Sequence, residues 1–113
     1  GGTYIDGALN VTGDITAFYS SDIALKDNVV NINDALVKVE NINGVKFDWN
    51  NKSTNTGHDV GVIAQEIEEI LPEIVATRQD GYKAVRYEKL VPVLIEAIKE
   101  LSERVKKLQG KFK

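Results

Sequence analysis

The chain has 113 residues, 42% of them hydrophobic, with 17 acidic against 14 basic side chains, one histidine and no cysteine. That length suits one small domain with a modest core, for which help from partner chains is expected. Without cysteine there is no disulfide framework or thiolate metal site, and a single histidine argues against zinc, so neither metal nor cofactor is expected. No apolar run approaches the roughly 18 residues that cross a bilayer, and the first residues lack a basic-then-apolar export signal, so no membrane partner and no secretion by that route is expected. Charge is unevenly placed: residues 96–113 hold six basic and three acidic side chains, leaving eight basic and fourteen acidic for 1–95. Cations late in a terminal helix complement its dipole, and without a set of stacking aromatics they do not argue for nucleic acid.

After Gly1-Gly2 a six-residue pattern repeats, Gly7 to Thr12 and Gly13 to Phe18, with Leu9, Val11, Ile15 and Ala17 on one parity. Alternation of period two predicts strand. One or two strands do not stand alone, so residues 1–20 read as the end of a fibrous β-stalk whose apolar face meets other copies; a short edge strand is the alternative. Ser20-Ser21-Asp22-Ile23-Ala24-Leu25-Lys26 follows. A serine hydroxyl becomes a nucleophile when a base removes its proton, and a desolvated, neutral lysine is such a base. Ser21 and Lys26 form the candidate pair. Five residues apart on a regular helix they would diverge, so the pairing requires Ser21 on extended backbone and Lys26 on a turn. The plainer alternative is a helix start capped by Ser21 or Asp22 with Lys26 in solvent.

Ile32, Leu36 and Val39 fall at helical spacing, which predicts a helix over 31–41 capped by Asn31 or Asn33 and stopped by Asn41 to Gly44. Val45, Phe47 and Trp49 alternate with Lys46, Asp48 and Asn50, the mark of a half-buried strand. Trp49 reads as packing rather than as a sugar platform, and Asn50 to Gly57 as a polar loop. His58 to Val62 predicts a strand leading into a helix with Ile63, Ile67, Ile70 and Leu71 on one face, ended by Pro72. Glu66, Glu68 and Glu69 on that helix read as a solvated face and not as paired catalytic carboxylates. Asp80-Gly81, between Ile74 to Thr77 and Tyr82 to Tyr87, predicts a β-hairpin.

The last helix carries Val91, Ile98, Val105 and Phe112 at one heptad position and Leu94, Leu101 and Leu108 at the other, a coiled-coil seam. Glu100 with Arg104 and Glu103 with Lys107 are expected as four-apart ion pairs. β-branched residues at the first position with leucine at the second favour two strands by the general rule. Packing of this helix on its own domain near Val91 and Leu94 is the intramolecular alternative.

The stretch Ser21-Asp22-Ile23-Ala24-Leu25-Lys26-Asp27-Asn28-Val29 resembles the opening of the intramolecular chaperone auto-processing domains of phage endosialidases, tail spikes and tail fibres, found also in myelin regulatory factor. Ala24 stands where arginine is common in that family, and Val29 where isoleucine is. The resemblance continues in Gly61 to Glu66 with Leu71-Pro72-Glu73, in Asp80-Gly81-Tyr82, and in Tyr87 with Leu90 to Leu94 and Ala97-Ile98, covering 21–113 in the family's order. It implies an α+β chain: stalk end over 1–20, mixed body over 21–89, and a helix over 90–113 that joins a homotrimer through Val91, Leu94, Ile98, Leu101, Val105 and Leu108. It also implies single-turnover self-cleavage in cis between Ser20 and Ser21, with Ser21 as nucleophile, Lys26 as general base and no cofactor. Asp22, Asn28, His58, Gln65 and Glu66 are the implied supporting residues. The upstream β-stalk would be both substrate and folding client, in the host cytoplasm during virion assembly, with the fibre retained in the virion tail. Two other functions stand beside this one: a trimerising module that never cleaves, and a retained receptor-binding tip.

Overall fold

A computed structural model of the chain describes residues 20–111. The six-residue repeat, the stalk assigned to 1–20 apart from Ser20, and Phe112 lie outside the described residues. The chain divides into two units, 1–30 and 31–113.

In the first unit Asp22 lies on extended backbone, and its carboxylate accepts the Ala24 amide at 2.9 Å. Short acidic side chains bond nearby backbone in this way, which favours turns over regular structure. The product is one 3-10 turn, Ile23–Leu25, closed by the Lys26 amide on the Ile23 carbonyl at 3.1 Å. Two residues on, Asn28 has φ 56, a left-handed conformation that asparagine adopts more readily than most residues.

The second unit runs α1 (Ala35–Glu40), β1 (Val45–Asp48), β2 (His58–Gly61), α2 (Ala64–Ile70), β3 (Val75–Thr77), β4 (Lys83–Val85) and α3 (Leu90–Lys111). The strands form two separate antiparallel hairpins. In one, Val45 faces Gly61 and Asp48 faces His58; in the other, Val75 faces Val85 and Thr77 faces Lys83. The second hairpin turns at Asp80-Gly81 as expected. Gly81 has φ 89, where a side chain would be strained, and Asp80 accepts the Tyr82 amide at 2.9 Å. Pro72 ends α2 and opens a 3-10 turn, Pro72–Ile74, that leads into β3.

The first helix is shorter than the spacing over 31–41 predicts. Asp34 is left-handed (φ 55, ψ 34) and makes no side-chain cap bond, so the helix cannot extend back towards Asn31. Neither Asn31 nor Asn33 caps it. The Leu36 amide is instead bonded at 2.6 Å by Glu100 of α3. Asn41 does close the far end, its amide reaching the Lys38 and Val39 carbonyls.

Ala35, Ile67, Leu71, Ile74, Val93 and Ala97 form the core, ringed by Ile32, Leu36, Val39, Ile70, Val85 and Leu90 among others. Trp49 is half-buried, meets Phe47 edge-on at 4.8 Å between ring centres, and donates its ring N–H to Asp59 at 3.1 Å. An amphipathic ring packed at one end and bonded at the other fits the packing role.

Helix α3 packs on α1 near Val91 and Leu94, as the intramolecular alternative expects, but through neighbouring side chains. Val91 and Leu94 are 53% and 44% exposed, while Val93 and Ala97 are buried and Leu90 half-buried. The core-facing residues lie roughly a quarter turn around the helix from the Val91, Leu94 and Ile98 stripe. The expected pairs also differ: Glu100 bonds Leu36 rather than Arg104, and Glu103 pairs with Lys106 at 3.6 Å, three residues on.

Candidate functional site

The Ile23–Leu25 turn brings Lys26 back beside Ser21, and the lysine Nζ donates to the serine Oγ at 3.1 Å. Lys26 itself is extended (φ −124, ψ 139), immediately after the turn rather than on it. Both side chains belong to exposed residues. With the amine protonated, the hydroxyl accepts; with the amine neutral, the same contact reverses and the serine can surrender its proton. The Asp22 carboxylate is taken by the Ala24 amide, so its part is to shape the turn. Asn28, through its left-handed backbone, redirects the chain just beyond Lys26.

The other three implied residues lie in the body, where two of them are engaged. His58 bonds Asp48 through Nδ1 across the end of the first hairpin, where the two residues are register partners. Gln65 is exposed on α2. Glu66 accepts the Asn43 side-chain amide at 3.0 Å, linking α2 to the segment before β1. Among the described residues no cluster of His, Cys, Asp or Glu is arranged to hold a metal ion, and no helix is long and apolar enough to cross a membrane.

Residue patterning missed two carboxylates on α3. Glu96 accepts from the Asn31 side-chain amide at 2.8 Å and meets Lys99 at 3.2 Å. These contacts, Asn31 first, hold its carboxyl below the ordinary carboxylate range. Glu100 accepts the Leu36 amide. The available signal was position: two glutamates four apart flank the buried Val93 and Ala97, and an acid beside a packed face needs a partner. Tyr87 was also undervalued. Its hydroxyl accepts the Val62 amide at 3.2 Å, and a Cβ on Gly61 would stand 2.7 Å from the same oxygen.

Long tail fiber protein Gp37 of Enterobacteria phage K3 and its counterpart in Enterobacteria phage T2 are each 39% identical to this chain over 104 residues. The match takes in 84% of this chain but only 8% of each relative, so the chain corresponds to a small part of those fibres. Residues 21–76 match the family described as chaperone of endosialidase, which is classed as a peptidase family. That range holds the Ser21 turn, the Gly61 to Glu66 stretch and Leu71-Pro72-Glu73, and residues 21–76 belong to the chaperone of endosialidase family.

Proposed function

We propose that this domain is the C-terminal intramolecular chaperone of a phage tail fibre or tail spike, which brings three copies together, sets the register of the β-stalk and then cuts itself away. The observation that carries this reading is the Ser21 to Lys26 hydrogen bond, located at the first residue of the family match. The peptide bond that breaks is the one joining the Ser20 carbonyl to the Ser21 nitrogen. In one route Ser21 Oγ attacks that carbonyl, Lys26 takes the hydroxyl proton, the nitrogen leaves protonated as the new amino terminus, and water then hydrolyses the ester left between Ser20 and Ser21. In the other, Ser21 activates a water that attacks the carbonyl directly. Both routes end in a Ser20 carboxylate and a free Ser21 amine and hydroxyl. The client is the stalk of the same chain, and the setting is host cytoplasm during virion assembly.

Assembly is supported by α3, whose Leu101, Val105 and Leu108 are 49%, 46% and 52% exposed at heptad spacing. An apolar stripe of that length marks an interface. The stripe residues Val91, Leu94, Ile98, Leu101, Val105 and Leu108 form the seam of a homotrimer in this reading. A six-residue repeat tolerates shifted pairings, so a stalk built on it needs its register imposed from outside. Removing the chaperone afterwards leaves the product without its low-barrier route back to the unfolded state.

The exposure of both Ser21 and Lys26 favours a second reading, an assembly module in which the pair is a surface contact and no bond is cut. Intact mass and denaturing gels over time separate the two. Self-processing yields a fragment beginning at Ser21; Ser21→Ala and Lys26→Ala stay full length with unchanged sedimentation. Lys26→Arg also stays full length, because a guanidinium does not give up its proton. Equal cutting in wild type and Ser21→Ala ends the nucleophile assignment, and a wild type that stays whole supports the second reading.

A further inference from the structure

Among the described residues two dipeptides, Asn43-Gly44 and Asp80-Gly81, have the arrangement from which a main-chain nitrogen closes a five-membered ring on the preceding side chain. The fold treats them oppositely. At Asp80-Gly81 both reacting groups are occupied: the Gly81 amide donates to the Arg78 carbonyl at 2.9 Å, and the Asp80 carboxylate accepts the Tyr82 amide at 2.9 Å and lies 3.6 Å from the Arg78 guanidinium. Asn43 and Gly44 lie between α1 and β1, outside any helix or strand, and both are exposed. Among the described residues the Gly44 amide makes no backbone hydrogen bond, and no atom lies within 4 Å of the place that a Cβ on Gly44 would take. A nitrogen with open space around it and no hydrogen bond to give up can approach the neighbouring side-chain carbon. One contact restrains its target: the Asn43 side-chain amide donates to the half-buried Glu66 carboxylate of α2 at 3.0 Å.

We propose that Asn43 is a site of spontaneous covalent modification, converted by the chain's own Gly44 nitrogen and water into aspartate and isoaspartate, and that Glu66 restrains the intact residue and repels the product. The Gly44 nitrogen loses its proton to hydroxide and attacks Asn43 Cγ. A C–N bond forms, the bond from Cγ to Nδ2 breaks, and Nδ2 leaves as ammonia with a proton from water. Water then opens the succinimide at either carbonyl, which leaves a carboxylate at position 43 on a normal or a lengthened main chain. The lengthened form lies two residues before Val45, which faces Gly61 in the first hairpin. In both forms a donor to Glu66 becomes an acceptor facing it, so a hydrogen bond to a charged group gives way to repulsion between two carboxylates. The link from α2 to the segment before β1 is therefore lost as the protein ages, and the change needs nothing from the Ser21 to Lys26 pair.

The test incubates the full chain in mildly alkaline buffer and follows the tryptic peptide Val39 to Lys46 by mass, fragmentation and enzymatic methylation of isoaspartate. Wild type should accumulate acid at position 43 with release of ammonia, while Asp80, in the peptide Gln79 to Lys83, stays free of isoaspartate. Gly44→Ala has room for its methyl group and should lose the product over the same period, because the added bulk hinders the nitrogen's approach. Glu66→Ala should speed the reaction about tenfold by releasing the side chain, whereas Glu66→Gln keeps an acceptor and should leave the rate near that of wild type. Asn43→Asp should lower the folded-to-unfolded ratio about fivefold, followed at Trp49. Adding Glu66→Gln should restore it by giving the new carboxylate a donor, a rescue that general destabilisation would not produce. An unmodified Asn43, or equal accumulation in wild type and Gly44→Ala, overturns the site. Equal rates in wild type and Glu66→Ala overturn the restraint, and an Asn43→Asp chain as stable as wild type overturns the consequence for α2.

Discussion

The two halves of α3 have the same backbone and opposite circumstances. From Leu90 to Glu100 one face lies in the core, through Val93 and Ala97, and two carboxylates grip residues 31–36. From Leu101 to Lys111 every residue is exposed. A helical segment that short is marginal in water by itself, and a surface pair such as Glu103 with Lys106 adds only a few tenths of a kcal/mol. The comparison teaches that heptad spacing shows where apolar side chains line up without showing what covers them. Leu90, Val93 and Ala97 are spaced three and four apart and are covered by the same chain; Leu101, Val105 and Leu108 are spaced four and three apart and are not.

The sharpest way to break this contrast is Leu101→Asp with Leu108→Asp, which places two charges in the exposed stripe. Self-association in sedimentation should be lost outright, with a drop in helical circular dichroism from the distal half. Trp49 fluorescence from the body should keep its folded signature. A wild type that sediments as a monomer removes the assembly claim before any mutant is made.

On the covered side, Ile67→Ala empties the middle of a small core, since Ile67 is 0% exposed. The cost should be about 2–5 kcal/mol, a large share of a domain's total. Denaturant unfolding followed at Trp49 should show the midpoint fall, and an unchanged midpoint would mean that the core described by Ile67, Val93 and Ala97 does not hold the body. Gly61→Ala should cost less, about 1–3 kcal/mol, because the added Cβ meets Tyr87 Oη. In a Tyr87→Phe background that penalty should shrink, and a double-mutant cycle without coupling would refute the contact.

The smallest effect expected is a linkage to acid. Because Asn31 and Lys99 lower the Glu96 carboxyl in the folded chain, its contribution is fully present above the ordinary carboxylate range. It fades as pH falls through the lowered value. Stability measured across that acid range should therefore slope downward in wild type, with a shallower slope in Glu96→Gln. Identical slopes would show that the Asn31 contact carries no weight in solution.

Much of this protein was legible from residues that act on near neighbours. Asp80-Gly81 makes its turn and Pro72 stops α2, because each depends on backbone preferences within a few positions. The likeness of residues 21–29 to a known family opening was legible too, and the match over 21–76 agrees with it. Three things were decided only in three dimensions: the start of α1, set by a glutamate 64 residues away; the face of α3 that enters the core; and the seating of Tyr87 on Gly61 and Val62. Periodicity ranks the faces of a helix by apolarity, but which face is buried depends on the shape and unsatisfied polar groups of distant segments. A left-handed Asp34 that leaves Leu36 wanting an acceptor is such a demand, and only the folded chain brings Glu100 to meet it.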